Sequence, residues 1–129
     1  MATYTSDVKI QTHTAAADIS AQQFNAVMFV ANGYVNVCSN GLSQAYVGIL
    51  ANKPDAAGKA AAVAVEGDYK ARAGAAVASY GTPLACNGSG RLITATSGQI
   101  VVATALETAA ADGNVISVRL QAPYRVGPF

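Results

Sequence analysis

The side chains that could perform chemistry are few and lie far apart in the 129-residue sequence. His13 is the only histidine, and Cys38 and Cys86 are the only cysteines. One imidazole and two distant thiols do not supply the four nitrogen or sulfur ligands, in paired spacing, that a structural zinc site normally takes. A nucleophilic Cys–His pair would need His13 beside a thiol in an electropositive pocket, and nothing in the sequence places it there. We therefore predict no catalytic residues, no metal ligands and no cofactor.

The two cysteines are more simply interpreted as small buried apolar residues than as a disulfide. The N-terminal sequence is polar and lacks the apolar segment of a secretory signal, and disulfides are rare in proteins that stay in a reducing compartment. The strongest apolar runs, at residues 45–51 and 100–106, are much shorter than the roughly 20 residues of a membrane-spanning helix. The sequence therefore predicts a chain that is made in the cytoplasm and has no membrane partner.

Two carboxylates, Glu66 and Asp68, flank Gly67 and could suggest a calcium loop. The other ligand positions of such a loop are absent, so we predict a solvated turn between two strands. The remaining glycines do not form a phosphate-binding fingerprint and are typical of breaks between strands.

The composition favours a structural or binding role over catalysis. Charged residues make up 12% of the chain, with eight Lys and Arg against seven Asp and Glu, which is about half the charged fraction of an average soluble domain. Binding to nucleic acid would need a clustered basic face, and the sequence has none. A nearly neutral surface and 28 alanines favour association, because small side chains bury little apolar area within one monomer.

Short apolar segments recur between turn residues at intervals of about 8–12 residues, which predicts an all-β barrel or sandwich. We divide the chain into an extended N-terminal arm at 1–17, a β domain at 18–120 and an irregular C-terminal tail at 121–129. The arm would carry one strand near residues 8–11 and be weakly tied to the body. The predicted strands of the domain are 26–31, 34–38, 44–50, 60–66, 69–72, 84–86, 92–96, 99–107 and 115–120.

Local signals add detail to this scheme. Asn32-Gly33 is the strongest hairpin signal, because both positions accept positive φ in a type I′ turn. Ser20 with Gln23 fits a capping box that would start a short helical turn. Gly48 predicts close packing or a bulge within its strand.

Two further segments and the last strand complete the predictions. Residues 73–78 are predicted as a helical turn or an irregular strand, and residues 108–111 as a short helix. In the last strand Ile116, Val118 and Leu120 should face inward, while Val115, Ser117 and Arg119 face outward.

Four segments of the chain, in this order, resemble the capsid decoration (cement) proteins of tailed bacteriophages. They are DISAQQF at 18–24, VGILANKP at 47–54, ARAGAAVA at 71–78, and a block at 103–120 that ends in ALETAAADGNVISVRL. Each segment alone is a packing or turn pattern. Their common order over residues 18–120 carries the resemblance.

The resemblance implies a compact β-barrel or sandwich that acts as a structural protein and not as an enzyme. Such a protein binds the outer surface of an assembled capsid and stabilises it by bridging neighbouring capsomers. The implied partners are the major capsid protein and further copies of the chain, as a homotrimer or alternatively a dimer, with no nucleic acid and no membrane. The implied location is the exterior of the virion after synthesis in the host cytoplasm, and terminal arms would reach onto the shell.

Candidates for the capsid or oligomer interface are aromatic and basic side chains, since aromatics and arginine are enriched at interface cores. Tyr4, Tyr124 and Phe129 lie in the terminal segments with Arg125, while Lys70, Arg72 and Arg91 would form either a solvated basic face or an interface. The predicted interface residues are Tyr4, Lys9, His13, Lys70, Arg72, Tyr124, Arg125 and Phe129.

Two other functions fit less well. A virion-displayed module that binds a host receptor or glycan would need an exposed aromatic platform, and the chain has six tyrosines but no tryptophan. A thiol hydrolase using Cys38 or Cys86 would need an activating base that the sequence does not place.

Overall fold

Nine strands of one curled, half-barrel sheet make up most of the computed structural model, which describes residues 6–39 and 45–125. The strands are β1 (Ser6–Thr14), β2 (Ala26–Phe29), β3 (Val35–Val37), β4 (Tyr46–Leu50), β5 (Ala60–Arg72), β6 (Pro83–Cys86), β7 (Leu92–Thr94), β8 (Ile100–Ala105) and β9 (Val115–Arg125). Their order is β3-β2-β4-β5-β9-β8-β6-β7, with β1 paired to β5 beside this path. Two 3₁₀ turns, Ser20–Gln22 and Ala31–Gly33, are the only helical segments of the described residues. The all-β prediction with one or two short helical turns is confirmed.

The long strand β5 joins the two halves of the sheet. Its first half pairs with β1 and β4, and its second half pairs with β9. The predicted turn at Glu66-Gly67-Asp68 is wrong, because Gly67 adopts a φ of 106° inside a continuous strand. Glycine takes this conformation without a steric cost, so the backbone changes direction while its pairing continues. Asp68 is buried and accepts a hydrogen bond of 2.9 Å from Nε of Arg119.

Both terminal segments belong to the sheet over more residues than the sequence indicates. β1 runs antiparallel to β5 from Ser6 opposite Asp68 to Thr14 opposite Ala60, so the predicted weak attachment of this segment is wrong. β9 continues past Leu120 to Arg125, where an irregular tail was expected. Pro123 fits there because the register with β8 shifts at that point, and proline is tolerated at such irregularities.

The predicted hairpin at Asn32-Gly33 is confirmed. Asn32 and Gly33 have φ values of 65° and 73°, and they join β2 to its antiparallel partner β3. The N–H of Tyr34 donates to the carbonyl of Ala31, and the N–H of Val30 donates to the carbonyl of Tyr34. The capping box is not formed, because the Ser20 hydroxyl donates a hydrogen bond to Asp18. Its Oδ1 accepts bonds from the Ser20 hydroxyl and N–H, which lower the pKa of Asp18.

Residues 73–78, predicted as a helical turn or an irregular strand, pair with the predicted short helix at 108–111. Val77 and Ala109 exchange two backbone hydrogen bonds of 3.0 Å, which makes an isolated antiparallel bridge. Residues 73–78 are therefore extended rather than helical, with isolated bridges at Ala73 and Val77 and no continuous strand. The short helix at 108–111 is wrong, because burial of Ala109 against this partner outweighs the helical propensity of its neighbours.

Strand alternation divides the core between the two faces of the sheet. Neighbouring residues go to different clusters: Ile49 packs in the larger one and Leu50 in the smaller one. On β9 the inward side chains Ile116, Val118 and Leu120 are buried, as predicted. Ser117 is also buried, against expectation, and its N–H donates a bond of 2.6 Å to the Glu107 carboxylate.

The two ends of the sheet meet, which completes the curl. The N–H of Ala26 at the start of β2 donates a bond of 2.6 Å to the carbonyl of Gly90, in the turn between β6 and β7. Gly90 has a φ of +79°, and a Cβ there would lie 2.5 Å from Cγ2 of Val37. Cys38 and Cys86 are both buried at this junction, as predicted, and their sulfur atoms are 2.7 Å apart.

Replacing Gly48 with alanine should destabilise the fold, because a Cβ there would overlap the carbonyl oxygen of Ala64 and lie 2.7 Å from Cγ1 of Val63. We expect Gly48→Ala to lower the free energy of unfolding by about 1–3 kcal/mol in a urea titration. Gly88→Ala is the matched control, because the nearest atom to its Cβ would be the Ser39 carbonyl oxygen at 3.7 Å. Equal stability of the two variants would contradict the close approach of β4 and β5.

Candidate functional site

The chemically reactive side chains do not assemble into a recognisable catalytic or metal centre. Among the described residues, no three of His, Cys, Asp and Glu come together in a group that could hold a metal ion. His13 lies edge-on to Phe29, with 5.3 Å between ring centroids, and its Nε2 is 3.2 Å from Oε1 of Gln11. Over these same residues, no helix has the length and apolar character to cross a membrane. The site is therefore sought on the surface.

An exposed apolar surface surrounds the turn between β2 and β3. Phe29, Val30 and Tyr34 are 42%, 36% and 40% exposed, and the hydrogen bond between Val30 and Tyr34 fixes their spacing across the turn. His13 reaches this surface from β1 and packs its ring against Phe29. We call His13, Phe29, Val30 and Tyr34 the hairpin patch. Large apolar side chains gathered on a surface are typical of interaction sites.

The hairpin patch is held in place by the strand that follows the turn. Ala15, directly after β1, forms a parallel bridge with Val35, and the N–H of Ala16 donates a bond of 2.9 Å to the Val35 carbonyl. Val35 itself is fully buried in the smaller core cluster. The exposed rings therefore stand on a hairpin whose base is fixed to the core.

A groove of about 420 Å³ continues from the hairpin patch across the sheet, with Phe29 lining both. Its lining residues are Lys9, Gln11, Phe29, Tyr46, Val47, Val65, Glu66, Gln121, Ala122 and Pro123. Lys9 on β1 and Glu66 on β5 are directly paired, so a positively and a negatively charged residue lie opposite each other on neighbouring strands. Valines and the Tyr46 ring supply apolar lining, which makes the groove amphipathic.

Tyr46 connects the groove to the interior. Its hydroxyl is buried and has no hydrogen-bond partner among the described residues. Burial raises the pKa of Tyr46 far above its ordinary value, and the neighbouring Cys86 and Cys38 add to this shift. The phenol therefore stays neutral and contributes a polar atom close to the two thiols.

A second, more polar cleft lies near the junction of the two sheet ends. Its volume is about 550 Å³, and its lining includes Gln22, Asn25, Ser89 and Arg91. Asn25 is 3% exposed and donates a bond of 2.6 Å to Gln22, while its Oδ1 has no partner among the described residues. This cleft lacks the exposed rings of the hairpin patch.

The structure places the predicted interface residues in different regions. Lys9 lines the groove, His13 belongs to the hairpin patch, and Tyr124 is 50% exposed directly after Pro123, which also lines the groove. Three others fall outside what the structure describes: Tyr4, Phe129 and the side chain of Arg125.

The predicted basic residues of β5 lie in its other half. Lys70 is half-buried opposite Ser117 of β9. Arg72 is half-buried and donates a bond of 3.0 Å to the Gly113 carbonyl, while Arg91 forms an ion pair of 2.6 Å with Asp112. Both arginines thus bond within the chain, at the turn before β9.

The sequence did not identify Phe29, Val30 and Tyr34 as surface residues. They lie in segments that the sequence predicts as strands, with no prediction of which side chains are exposed. One signal could have found them. A two-residue turn at Asn32-Gly33 places the flanking residues at the tip of a hairpin, where their side chains are not covered by a further strand.

Comparison with known proteins gives a consistent assignment. A family model described as phage cement protein matches residues 5–120. The chain is also similar to the crystal structure of the N base of head fiber gp8.5 in bacteriophage phi29. That match has 14% sequence identity and a TM-score of 0.61, covers 88% of this chain and 94% of the other, and shows a shared fold. No curated protein matches.

Phe29 should contribute little to folding if it belongs to a contact surface. We expect Phe29→Ala to lower the free energy of unfolding by at most about 1 kcal/mol, because the ring is already 42% exposed. Leu50→Ala, at a fully buried position, should cost about 2–5 kcal/mol in the same denaturant titration. A loss at Phe29 as large as that at Leu50 would assign the ring to the core.

Proposed function

This chain belongs to the phage cement protein family, and on that premise we propose that it binds the outer surface of an assembled phage capsid and bridges neighbouring capsomers. The observation that carries the proposal is the family match, which extends from residue 5 to residue 120. It covers nearly all of the sheet, from β1 to the middle of β9, and so includes both the hairpin patch and most of the groove.

The hairpin patch and the groove are the surface that we assign to the capsid. Together they present exposed rings at one end and an amphipathic channel with paired opposite charges at the other. An interface of this type has aromatic anchors within a polar rim. The major capsid protein would supply the opposing surface.

Stabilisation of the shell follows from mass action. A protein that binds the assembled lattice and not the separate subunits shifts the equilibrium toward the lattice. Each copy can contribute little binding free energy, because many copies on one shell act together. A copy that touches two capsomers also binds more tightly than a single contact would, because the first contact raises the effective concentration for the second. A small, nearly neutral β domain is suited to this repeated use.

Self-association is part of the proposal. A homotrimer would place the same surface on three capsomers around a junction, whereas a dimer would serve a two-fold position. Sedimentation equilibrium of the isolated chain would distinguish these states, since each gives a different multiple of the 13.0 kDa chain mass. Tyr4, Arg125 and Phe129 in the terminal segments remain proposed contact residues.

Deletion of residues 1–17 is a poor test of capsid contact in this fold. It would remove all of β1, and with it one of the partners of β5 and the bridge to Val35. Loss of binding by such a variant could not be separated from loss of folding. Substitutions on exposed side chains are therefore needed.

We expect the chain to co-sediment with purified, expanded capsids of the phage that encodes it, and to leave the unassembled major capsid protein unbound. Replacing Phe29 and Tyr34 together with alanine should weaken capsid binding by at least about tenfold, because two aromatic anchors are removed. Tyr80→Ala is the matched control: Tyr80 is 75% exposed and lines neither the groove nor the hairpin patch, so its loss should change affinity by less than about twofold.

The outcomes separate the function from the surface. Equal binding to capsids and to unassembled subunits, or to neither, would contradict the cement function itself. Wild-type binding by the folded Phe29/Tyr34 variant would leave that function intact and show that another face contacts the shell. Circular dichroism of each variant would confirm that it is folded.

A further inference from the structure

The two cysteines meet where the two ends of the sheet come together. Cys38 follows β3 at one end of the strand order, and Cys86 is the last residue of β6 near the other. They are 48 positions apart in the sequence, yet their sulfur atoms are 2.7 Å apart. Both side chains are buried, with 0% and 3% of their surface exposed.

This sulfur–sulfur distance is shorter than a non-bonded contact. Carbon atoms in contact keep about 3.5–4.0 Å, and sulfur is larger than carbon. A covalent disulfide has a sulfur–sulfur bond of about 2.05 Å, so the fold brings the two atoms to within about 1 Å of bonding distance. A hydrogen bond between two thiols is the alternative, and 2.7 Å is short for two atoms of that size.

We propose that Cys38 and Cys86 form a dithiol site that a small-molecule disulfide oxidises to an intramolecular disulfide. One cysteine thiolate attacks the small disulfide, which breaks its S–S bond and releases one thiol, leaving a mixed disulfide on the protein. The second cysteine then attacks the protein sulfur of that mixed disulfide and releases the second thiol. Two electrons pass from the protein to the oxidant, and the two cysteine protons end on the released thiols.

The disulfide would lock the junction that the backbone closes more weakly. The hydrogen bond from Ala26 to Gly90 spans the same two ends of the sheet, and the N–H of Cys38 donates a bond of 2.8 Å to the carbonyl of Ala26. A covalent link there restricts the unfolded chain over a long loop, which stabilises the native state. The bond would persist wherever the surroundings are oxidising and be absent in a reducing cytoplasm.

Burial determines when the exchange can occur. An apolar environment disfavours the thiolate that must attack the oxidant, so the folded chain should react slowly. Access requires opening of the junction or unfolding, and the turn beside Cys86 has exposed positions at Gly88 and Ser89. Refolding in the presence of the oxidant therefore tests the site, because the oxidant can reach both thiols before the junction closes over them.

The test is to unfold the full chain in guanidinium and refold it with either oxidised glutathione or a reducing agent. After oxidising refolding we expect a monomer that is two hydrogen atoms lighter by intact mass and that takes up no alkylating reagent when denatured. Its Tm should exceed that of the reduced chain by about 5–15 °C, and a reductant should abolish the difference. Peptide mapping without reduction should recover Cys38 linked to Cys86.

Cys38→Ala and Cys86→Ala are the controls, since each leaves one thiol and should show the same Tm under both conditions. The wild-type comparison stands even where a variant folds poorly, because both arms use the same chain. Two alkylated thiols after oxidising refolding would overturn the proposal. Glutathione adducts or disulfide-linked dimers as the main product would overturn it too, since either shows that the sulfurs do not meet in one chain.

Discussion

The structure depends on the continuity of one strand. β5 is thirteen residues long. Its N-terminal part pairs with β1 and β4, and its C-terminal part, from Gly67 onward, pairs with β9. A true turn at Gly67 would divide the sheet into two small sheets, each with an exposed edge. Because the strand bends there without ending, one curled sheet forms and its two far ends come close enough to meet. The hydrogen bond from Ala26 to Gly90 and the contact of the two cysteines are consequences of that curvature.

Small side chains make this curvature compatible with dense packing. Gly48 allows β4 to approach the backbone of β5 at Ala64, and Ala64, Ala71 and Ala73 line the larger core cluster where bulkier residues would separate the layers. The cost is a limited apolar area per residue, since alanine buries little. The sheet compensates by using both of its faces, so that Val63 packs in one cluster while Ala64 packs in the other. The alanine-rich composition is thus a packing requirement of a strongly curled sheet.

Features that depend on adjacent residues were predictable from the sequence, and features that depend on distant pairing were not. The turn at Asn32-Gly33 follows from the conformational freedom of two residues, and the inward face of β9 follows from alternation. Gly67 has the same local signature as a turn, yet its role is decided by pairing with β1 and β9, which lie near opposite ends of the chain. The bridge between Val77 and Ala109 was missed for the same reason. Of the predicted interface residues, Lys9 and His13 come together with the exposed rings only because β1 lies along β5.

The placement of the hairpin patch is consistent with the capsid contact that we propose for it. Binding loses free energy whenever side chains or loops must be ordered at the interface, and a preformed surface avoids most of that loss. Phe29 and Tyr34 flank a turn whose backbone is fixed by hydrogen bonds, and the strand behind them is tied to β1 and buried at Val35. The groove beside them is built from five strands of the same sheet. A surface of this kind keeps its shape in every copy, as the proposed binding to a regular capsid lattice would require. Its rigidity derives from the same pairing of β1 with β5 that brings its parts together.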